Sequence, residues 1–459
     1  MGLFSETMEK IFDIAILGGG PAGYVAAERA GAKGLSVVIF DKRSLGGVCL
    51  NEGCIPTKTL LNSAKVLEYA HEAEKYGISV ENIGFDFGKI MKRKDKVVRK
   101  LVAGVGAKMK HAKAEVVMAE AVIKEKRGAE ISIEADGRIY KATNLLVCTG
   151  SEAAVPPIPG LDKTQILTNR EILQLKELPK SLVIIGGGVI GTEFADFFNA
   201  MGTKITVIEM LPEILTGIDD DIAKFVRAEF TKRGIDFHLG AKVTKLNGRE
   251  VTFEKEGVEQ TITGEQVLLS VGRKANVTGI GLENIGVEFT PRGVKIDKNC
   301  RTNIPNVYAA GDITGFSLLA HTASREGEVA INHILGRKDQ MRYDAIPGVV
   351  YTHPEIAGVG LTEAAAKEKG IEVEIRKLPM AYAGRFVAEN EGKDGFCKVI
   401  AGKKYGEILG VHMVGGACSE MIWGACALVE AQLRVKDVQE IVFPHPTVSE
   451  IIKEVCFLF

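Results

Sequence analysis

Phe12-Asp13-Ile14-Ala15-Ile16-Leu17, followed by Gly18-Gly19-Gly20-Pro21-Ala22-Gly23, is the stretch that decides the fold. The apolar run predicts a buried parallel strand, and residues 24–32 predict a helix. A second predicted strand, 35–40, ends at Asp41. Gly18, Gly20 and Gly23 would let a pyrophosphate approach the helix N-terminus, and Asp41 can accept hydrogen bonds from ribose hydroxyls. The stretch therefore predicts a dinucleotide-binding unit.

The same arrangement recurs later in the chain. A predicted strand at 181–185 leads into Gly186-Gly187-Gly188-Val189-Ile190-Gly191, then into a predicted helix at 192–201 and a strand at 204–208 that ends at Glu209. In both copies 18 positions separate the third glycine from the acid, 23 to 41 and 191 to 209. One such turn is a weak signal, and two tightly packed glycine turns without a ligand are the alternative. Two matched copies favour two Rossmann-like units and two bound dinucleotides.

Glu209 indicates which nicotinamide cofactor the second unit accepts. A carboxylate at this position accepts a hydrogen bond from a ribose 2′-hydroxyl and repels a 2′-phosphate. Met210, Leu211 and Pro212 provide no arginine to offset that repulsion. The sequence therefore predicts NAD rather than NADP.

Composition limits the class of protein. The chain has 459 residues, enough for about three domains, and its 46% hydrophobic and 25% charged residues are typical of a globular protein. A formal net charge of −1 provides no field for nucleic acid or an anionic membrane, and the basic stretch 91–113 is interpreted as a solvated helix face. No apolar run approaches the ~18 residues of a transmembrane helix, and residues 1–11 contain no signal peptide. The expected location is the cytoplasm.

The cysteines suggest redox chemistry. The eight cysteines do not form a secreted disulfide framework, and no Cys/His group has zinc spacing, so no metal site is predicted. Cys49 and Cys54 lie five positions apart. In a regular helix their Cα atoms would be ~8–9 Å apart, beyond the ~7 Å limit for a disulfide, so a bridge needs bent backbone.

Glycines and a proline around this pair predict such a bend. Pro56 disfavours helical geometry at Ile55. The glycines that permit the bend are Gly46, Gly47 and Gly53. A strained, accessible bridge is of the labile, catalytic kind, and two buried thiols in a glycine-rich loop are the alternative.

The rest of the chain contains further candidate ligand-binding turns and a region without a nucleotide signature. The predicted strand 306–312 ends in Gly311-Asp312, at the strand end where α/β folds bind ligands; a helix N-cap is the alternative for Asp312. From residue 346 onward strands and turns predominate, which suits an interface. The predicted domains are 1–150 and 276–345 for the first dinucleotide, 151–275 for the second, and 346–459 for the interface.

Phe443-Pro444-His445-Pro446-Thr447-Val448-Ser449-Glu450 provides a candidate general base. Two prolines restrain the backbone around His445, and Glu450 could orient the imidazole. Histidine with a carboxylate partner is a common general base at neutral pH, although a single loop histidine is more often structural.

Taken together, these motifs resemble the flavoprotein disulfide oxidoreductases, and within them the members that oxidise dihydrolipoyl groups. The resemblance extends from about Phe12 to Glu454. Its most specific parts are the segments Gly46–Lys58 and His445–Glu450. It implies an α/β fold with two Rossmann-like domains, one for FAD and one for NAD, and a C-terminal α+β dimerisation domain.

The resemblance also implies a role for each site residue. Cys49 would exchange with substrate and Cys54 would lie against the flavin, while Lys58 would pair with Glu193 near the flavin. His445, oriented by Glu450, would act on the cysteines of the other subunit of a homodimer. The implied FAD-binding residues are Gly18, Gly20, Gly23, Asp41, Lys58, Gly150, Gly311, Asp312 and Ala320, and the implied NAD-binding residues are Gly186, Gly188, Gly191, Glu209 and Gly272.

The implied reaction oxidises protein-bound dihydrolipoamide to lipoamide with NAD⁺ as acceptor, in a 2-oxoacid dehydrogenase or glycine-cleavage assembly. No lipoyl domain is expected before Phe12, and the lipoyl group is expected on another protein. Val48 and Glu52 depart from the family's usual residues, and the tail after Glu450 is short.

Three alternatives remain open. Glutathione-type reductases favour NADPH, which Glu209 opposes. Mercuric reductases use a C-terminal cysteine pair, whereas Cys456 is alone in this chain. The third is a flavin-binding redox sensor or interaction protein that keeps the fold without turnover.

Overall fold

The computed structural model describes residues 10–163 and 166–459, and these form two compact units. The absence of a signal peptide was expected for residues 1–11, of which 1–9 lie outside the described residues. Across the described ranges, no helix is both long and apolar enough to cross a membrane. The first unit contains residues 10–56, 94–154 and 273–341, and the second contains residues 57–93, 155–163, 166–272 and 342–459.

The first unit is built on a seven-stranded sheet. Its central Ile11–Leu17 strand is buried from Ile14 onward and pairs in parallel with the strands on both sides, with Ile14 opposite Val37 and Leu17 opposite Val147. In spatial order the strands are Glu115–Val117, Val37–Phe40, Ile11–Leu17, Arg138–Val147, Glu130–Ala135 and Ala121–Arg127, with Val307–Ala309 also paired to Arg138–Val147.

Two helices of the first unit pack closely against each other beside this sheet. They are Pro21–Ala32 and Ala320–Ile334. A Cβ atom on Gly327 would lie 2.6 Å from the carbonyl oxygen of Ala22, so a glycine is needed there. The other described elements are the short helix Gly47–Glu52, the 3₁₀ turns Glu283–Ile285 and Asp312–Thr314, and the paired strands Ser151–Ala153 with Arg273–Ala275 and Phe289–Thr290 with Gly293–Val294.

The second unit contains a four-stranded parallel sheet and a separate antiparallel ribbon. The sheet order is Asp236–Leu239, Lys204–Glu209, Ser181–Ile185 and Gln266–Leu269. The helices of this region are Asn169–Ile172, Val189–Ala200 and Asp220–Lys232, and the ribbon strands are Ala241–Asn247, Glu250–Lys255 and Val258–Thr263. Phe194, Phe197 and Phe198 of the Val189–Ala200 helix are almost fully buried in its core.

The C-terminal part of the second unit is a five-stranded antiparallel sheet with its own apolar core. The strand order is Gly348–Val350, Glu355–Gly360, Ile408–Gly415, Phe396–Gly402 and Val373–Pro379. Its helices are Glu363–Glu368, Gly384–Glu389, Cys418–Glu430, Val435–Glu440 and Glu450–Cys456. The remaining described elements are two longer helices, Cys54–His71 and Phe87–His111, and the 3₁₀ turns Ala73–Tyr76, Leu161–Lys163 and Met380–Tyr382. The α/β fold class is confirmed.

One local expectation is wrong. Pro56 was expected to keep Ile55 out of helical geometry, but the helix that begins at Cys54 includes both residues. Proline is tolerated in the first turn of a helix because the N–H group it removes has no partner within the helix. The break between the two cysteines lies at Gly53 instead, whose φ of −149° and ψ of −109° are not helical.

Candidate functional site: two nucleotide turns and a cysteine segment

The first glycine turn is shaped by close backbone approaches. Gly18 has a φ of +108°, and a Cβ atom there would lie 2.1 Å from the carbonyl oxygen of Cys148. A Cβ atom on Gly23 would lie 1.8 Å from the carbonyl oxygen of Gly18. On Gly20, the N-cap of the Pro21–Ala32 helix, a Cβ atom would meet nothing closer than the Gly47 Cα at 3.8 Å. The helix N-terminus is thus left open to an anionic ligand.

Asp41 directly follows the Val37–Phe40 strand and holds this turn together. Its Oδ2 accepts the N–H of Gly19 at 2.8 Å. Its Oδ1 accepts the N–H groups of Arg43 at 2.8 Å and Ser44 at 2.9 Å. Sequence reasoning predicted only a ribose contact for this carboxylate, so its role in bracing the turn was missed.

The second unit repeats the same geometry. Gly186 has a φ of +104°, and a Cβ atom on Gly191 would lie 2.1 Å from the carbonyl oxygen of Gly186. Gly188 is the N-cap of the Val189–Ala200 helix, and no described atom lies within 4 Å of where its Cβ atom would be. Glu209 Oε2 accepts the N–H of Gly187 at 2.6 Å and Oε1 that of Leu211 at 2.7 Å. Gly272, with a φ of +113°, also has open space at its Cβ position.

The cysteine segment is fastened to the first nucleotide turn. The N–H of Gly46 donates to the carbonyl oxygen of Gly19 at 2.7 Å. Gly46 and Gly47 have φ values of +95° and +58°, and a Cβ atom on Gly47 would lie 2.7 Å from the Gly20 Cα. Asn51 Nδ2 donates to the carbonyl oxygen of Gly47 at 2.8 Å. These contacts place the cysteine-bearing helix next to the open end of the Pro21–Ala32 helix.

Cys49 and Cys54 lie on opposite sides of the helix break at Gly53. Cys49 belongs to the Gly47–Glu52 helix and Cys54 opens the next one, and both are half-buried. The N-terminal end of a helix stabilises negative charge on a group located there, and Cys54 occupies that end of the Cys54–His71 helix. Tyr24 lies in their neighbourhood: burial, and then the charges of the two sulfurs, raise the pKa of its hydroxyl.

Gly311 and Asp312 are held by side chains distant in sequence. Gly311, with a φ of +82°, donates its N–H to Oε2 of the fully buried Glu326 at 2.6 Å. Asp312 Oδ2 accepts from the Ser151 hydroxyl at 2.5 Å. Arg273 Nε donates to the same hydroxyl at 2.7 Å. Sequence reasoning missed Ser151 and Glu326. The available signal for Glu326 was a glutamate among apolar residues at helical spacing, with Ala323 three positions before it and Ala330 four after it.

Two other predicted residues of the first unit lie at element boundaries. Gly150 has a φ of +69° and lies between the Arg138–Val147 and Ser151–Ala153 strands. Ala320 is the first residue of the Ala320–Ile334 helix. Both positions are typical of a ligand-binding edge in an α/β fold.

Lys58 and Glu193 form a close ion pair in the second unit. Lys58 Nζ lies 2.9 Å from Oε1 and 2.8 Å from Oε2 of Glu193. The Glu193 side chain is only 5% exposed. The N–H of Tyr351 also donates to Glu193 Oε1, at 3.0 Å, and the Lys58 ammonium lies 4.7 Å from the centre of the Tyr351 ring. The glutamate is therefore fixed by two donors.

His445 and Glu450 form a second pair in this unit. Nδ1 of His445 lies 2.9 Å from Oε1 of Glu450, and Glu450 Oε2 accepts the N–H of Thr447 at 2.9 Å. The Thr447 N–H and then the imidazole hold the pKa of Glu450 below its usual value. With Nδ1 directed at the carboxylate, Nε2 is left to accept a proton.

The predicted site residues thus belong to two sets, each described within its own unit. The first unit contains Gly18, Gly20, Gly23, Asp41, Cys49, Cys54, Gly150, Gly311, Asp312 and Ala320. The second contains Lys58, Gly186, Gly188, Gly191, Glu193, Glu209, Gly272, His445 and Glu450.

Comparison with protein families matches nearly the whole described chain. Residues 12–327 match the profile of the pyridine nucleotide-disulphide oxidoreductases, and residues 346–456 match the dimerisation domain of the same family. The second match supports a homodimer.

Individual relatives agree with this assignment. A dihydrolipoyl dehydrogenase of Bacillus subtilis is 39% identical over 96% of this chain and 95% of its own length. The crystal structure of LpdA from Mycobacterium tuberculosis superposes with a TM-score of 0.90 and 27% identity, covering 98% of this chain and 99% of that one. The HOCl-induced flavoprotein disulfide reductase RclA of Escherichia coli has a TM-score of 0.85 and 27% identity, over 97% of this chain and 100% of that one. The chain belongs to the pyridine nucleotide-disulphide oxidoreductase family.

Proposed function

We propose that the protein is a dihydrolipoyl dehydrogenase, which reoxidises protein-bound dihydrolipoamide to lipoamide and passes the electrons to NAD⁺. This proposal rests mainly on one observation. The segment that contains Cys49 and Cys54 is hydrogen-bonded to the first nucleotide turn, from the Gly46 N–H to the Gly19 carbonyl oxygen. A redox-active pair in that position can exchange electrons with a dinucleotide held by the same turn. The full-length similarity to dihydrolipoyl dehydrogenases supports the same assignment.

The first unit has the features needed to hold FAD. At Gly20, the N-cap of the Pro21–Ala32 helix, the nearest described atom to a Cβ position is the Gly47 Cα at 3.8 Å, which leaves room for a phosphate to approach. Bound there, the flavin supplies the two-electron step between thiols and nicotinamide. We assign residues 1–150 and 276–345 to FAD binding, with Gly18, Gly20, Gly23, Asp41, Lys58, Gly150, Gly311, Asp312 and Ala320 as the binding residues.

The second nucleotide turn suits NAD. The open position at Gly188 provides room for a pyrophosphate at the helix N-terminus, and Glu209 provides the acceptor for a ribose hydroxyl. We assign residues 151–275 to NAD binding and 346–459 to the subunit interface. The NAD-binding residues in this proposal are Gly186, Gly188, Gly191, Glu209 and Gly272.

His445 initiates the thiol chemistry. Its Nε2 accepts a proton from one thiol of the dihydrolipoyl group, because the thiolate and not the thiol is the attacking species. Glu450 orients the ring and stabilises the imidazolium that forms. In this proposal the pair acts on the cysteines of the partner subunit, so that only the dimer is active.

The two cysteines then complete the exchange. The substrate thiolate attacks Cys49 Sγ, forming a mixed disulfide and releasing Cys54 as a thiolate. His445 releases the first proton to solvent and then accepts the proton of the second substrate thiol. That second thiolate attacks the substrate sulfur of the mixed disulfide. The lipoyl ring closes, Cys49 leaves as a thiolate, and the bridge has taken up two electrons. In this proposal the Lys58–Glu193 ion pair provides a fixed dipole that tunes the potential of the flavin.

The expected partners are lipoyl-bearing proteins of 2-oxoacid dehydrogenase complexes or of the glycine-cleavage system, acting in the cytoplasm. Among the alternatives, a mercuric reductase needs accessible C-terminal thiols. Cys456 is fully buried, and burial raises its pKa to about 12, so it does not suit that role.

The test is a steady-state assay of the purified, flavin-loaded protein with dihydrolipoamide as electron donor and either NAD⁺ or NADP⁺ as acceptor. We expect turnover with NAD⁺ and much less with NADP⁺. Turnover of glutathione disulfide with NADPH, without dihydrolipoamide oxidation, would refute the proposal.

A further inference from the structure

Glu193 and Asp196 lie one turn apart on the buried face of the Val189–Ala200 helix and contact the same segment of the second unit. Glu193 Oε1 accepts the N–H of Tyr351 at 3.0 Å. Asp196 Oδ2 accepts the N–H of His353 at 2.8 Å. Residues three apart on a helix are neighbours on its surface, and the N–H groups of residues two apart in an extended segment face the same side. The two carboxylates can therefore accept from the two N–H groups at the same time.

Asp196 is itself held by a buried cation. Arg233 Nη2 forms an ion pair with Asp196 Oδ1. Arg233 Nη1 donates to Glu68 Oε1 at 3.0 Å and to the carbonyl oxygen of His353 at 3.1 Å. Asp196 is only 3% exposed, and burial raises its pKa, which the guanidinium opposes. The aspartate, the arginine and the 353 peptide thus form one connected network.

The His353 side chain belongs to the same network. Burial and the neighbouring cations lower the pKa of His353 to about 3, so its imidazole is neutral near pH 7. Lys393 Nζ lies 2.7 Å from His353 Nε2 and 2.8 Å from Glu72 Oε2. The segment is therefore held at residue 353 by both its main chain and its side chain.

We propose that Asp196 is a positioning residue for the Lys58–Glu193 ion pair. By holding the N–H of His353, Asp196 keeps the segment from Tyr351 to His353 in register with the helix, so the Tyr351 N–H stays on Glu193. Glu193 then keeps the orientation in which both of its oxygens lie within 3 Å of Lys58 Nζ. This inference rests on the proposed function, in which that ion pair tunes the flavin.

The test is the midpoint potential of the bound flavin in the holoenzyme, measured by redox-dye titration at fixed pH. Glu193→Gln and Lys58→Met are the reference variants and should shift the potential. Asp196→Ala should shift it in the same direction as Glu193→Gln. The double variant Asp196→Ala/Glu193→Gln should shift it by less than the sum of the single shifts, because Asp196 acts through Glu193.

Asp196→Asn is the conservative variant. Its amide oxygen can still accept the His353 N–H, although it no longer balances Arg233, so it should shift the potential less than Asp196→Ala. If Asp196→Ala does not retain flavin, the comparison is made with Asp196→Leu, which also removes the acceptor for the His353 N–H but keeps more of the side-chain volume; a shift of the expected sign supports the proposal, and a wild-type potential overturns it.

Asp219→Asn is the matched control. Asp219 is 2% exposed and pairs with Lys398 Nζ at 2.7 Å in the same unit, but it is not bonded to the 351–353 segment in the described structure. It should leave the potential unchanged. A wild-type potential in Asp196→Ala, with a shift in Glu193→Gln, overturns the positioning role alone. A wild-type potential in both reference variants overturns the role given to the ion pair, and this inference with it.

Discussion

Nδ1 of His445 lies 2.9 Å from Oε1 of Glu450, while the imidazole is 79% exposed in the single chain. A base that is both oriented and exposed is arranged to meet a substrate or a second subunit. Because the pKa of Glu450 is held low, its carboxylate stays charged through neutral pH and can support the imidazolium.

His445→Gln should therefore slow dihydrolipoamide oxidation by about 10²–10⁴-fold, the usual contribution of a general base. Electron transfer from NADH to a dye should be nearly unchanged, since it needs no proton from the substrate thiol. Both rates are measured on the same flavin-loaded preparation. Equal loss of the two activities would mean that His445 is not the base.

Cys49→Ser should leave Cys54 unable to form the bridge. Cys54 opens a helix, where negative charge is stabilised, so we expect a resting thiolate beside the flavin. The purified variant should then show long-wavelength flavin absorbance without added reductant, and Cys54→Ser should not. A Cys49→Ser spectrum identical to that of the wild type would refute the assignment of the two thiols.

Two glycines of the second nucleotide turn provide a matched pair. Gly191→Ala should lower the free energy of unfolding by about 1–3 kcal/mol, because its methyl group would lie 2.1 Å from a carbonyl oxygen. Gly188→Ala has open space around the new methyl group and should fold normally. Its KM for NADH should nevertheless rise about tenfold, equivalent to ~1.4 kcal/mol of lost binding. A normal KM for NADH in Gly188→Ala would mean that the pyrophosphate does not bind at this position.

Glu209→Ala should reduce the preference for NADH over NADPH. The loss of the carboxylate removes both the acceptor for the 2′-hydroxyl and the repulsion of a 2′-phosphate, so the ratio of kcat/KM values should fall about 10-fold or more. Glu213→Ala, which removes a nearby carboxylate bound to Arg227, is the control and should keep the wild-type ratio. A wild-type enzyme that prefers NADPH would overturn the role of Glu209.

Glu68 should make stability depend on pH. Burial, and then Asp196, raise its pKa from 4.5 to about 7, while Arg233 and Lys393 oppose that rise. Between these values the folded state holds a proton that the unfolded state has lost. Stability from this group is thus present below pH 4.5 and falls as the pH rises towards 7, by up to ~1.4 kcal/mol per pH unit.

The thermal midpoint of the wild type minus that of Glu68→Gln should accordingly decrease as the pH is raised from 4.5 to 7.5. Glu72 is the control, because hydrogen bonds from Lys393 and Lys75 outweigh its burial and lower its pKa. Its contribution is present above pH 4.5 and lost only in more acidic solution. A difference between wild type and Glu68→Gln that is constant across this range would contradict the raised pKa.

The local elements were predicted best. The strands and turns around Gly18 and Gly186 depend on apolar runs and on glycines with positive φ, and both signals lie within a dozen consecutive residues. The bend between Cys49 and Cys54 followed from helix geometry in the same way. The error at Ile55 arose because proline was treated as a helix breaker, whereas here it occupies a first turn.

The sequence by itself determined the two glycine turns, the spacing of the cysteines and the acids that end the second strands, because each depends on neighbouring residues. The Lys58–Glu193 pair, 135 positions apart, was expected only from the family resemblance and not from any local pattern. Only the tertiary structure revealed the hydrogen bond from the His353 N–H to Asp196, 157 positions apart. Only folding brings such groups together, and burial then requires each charge to find a partner, which no local pattern can specify.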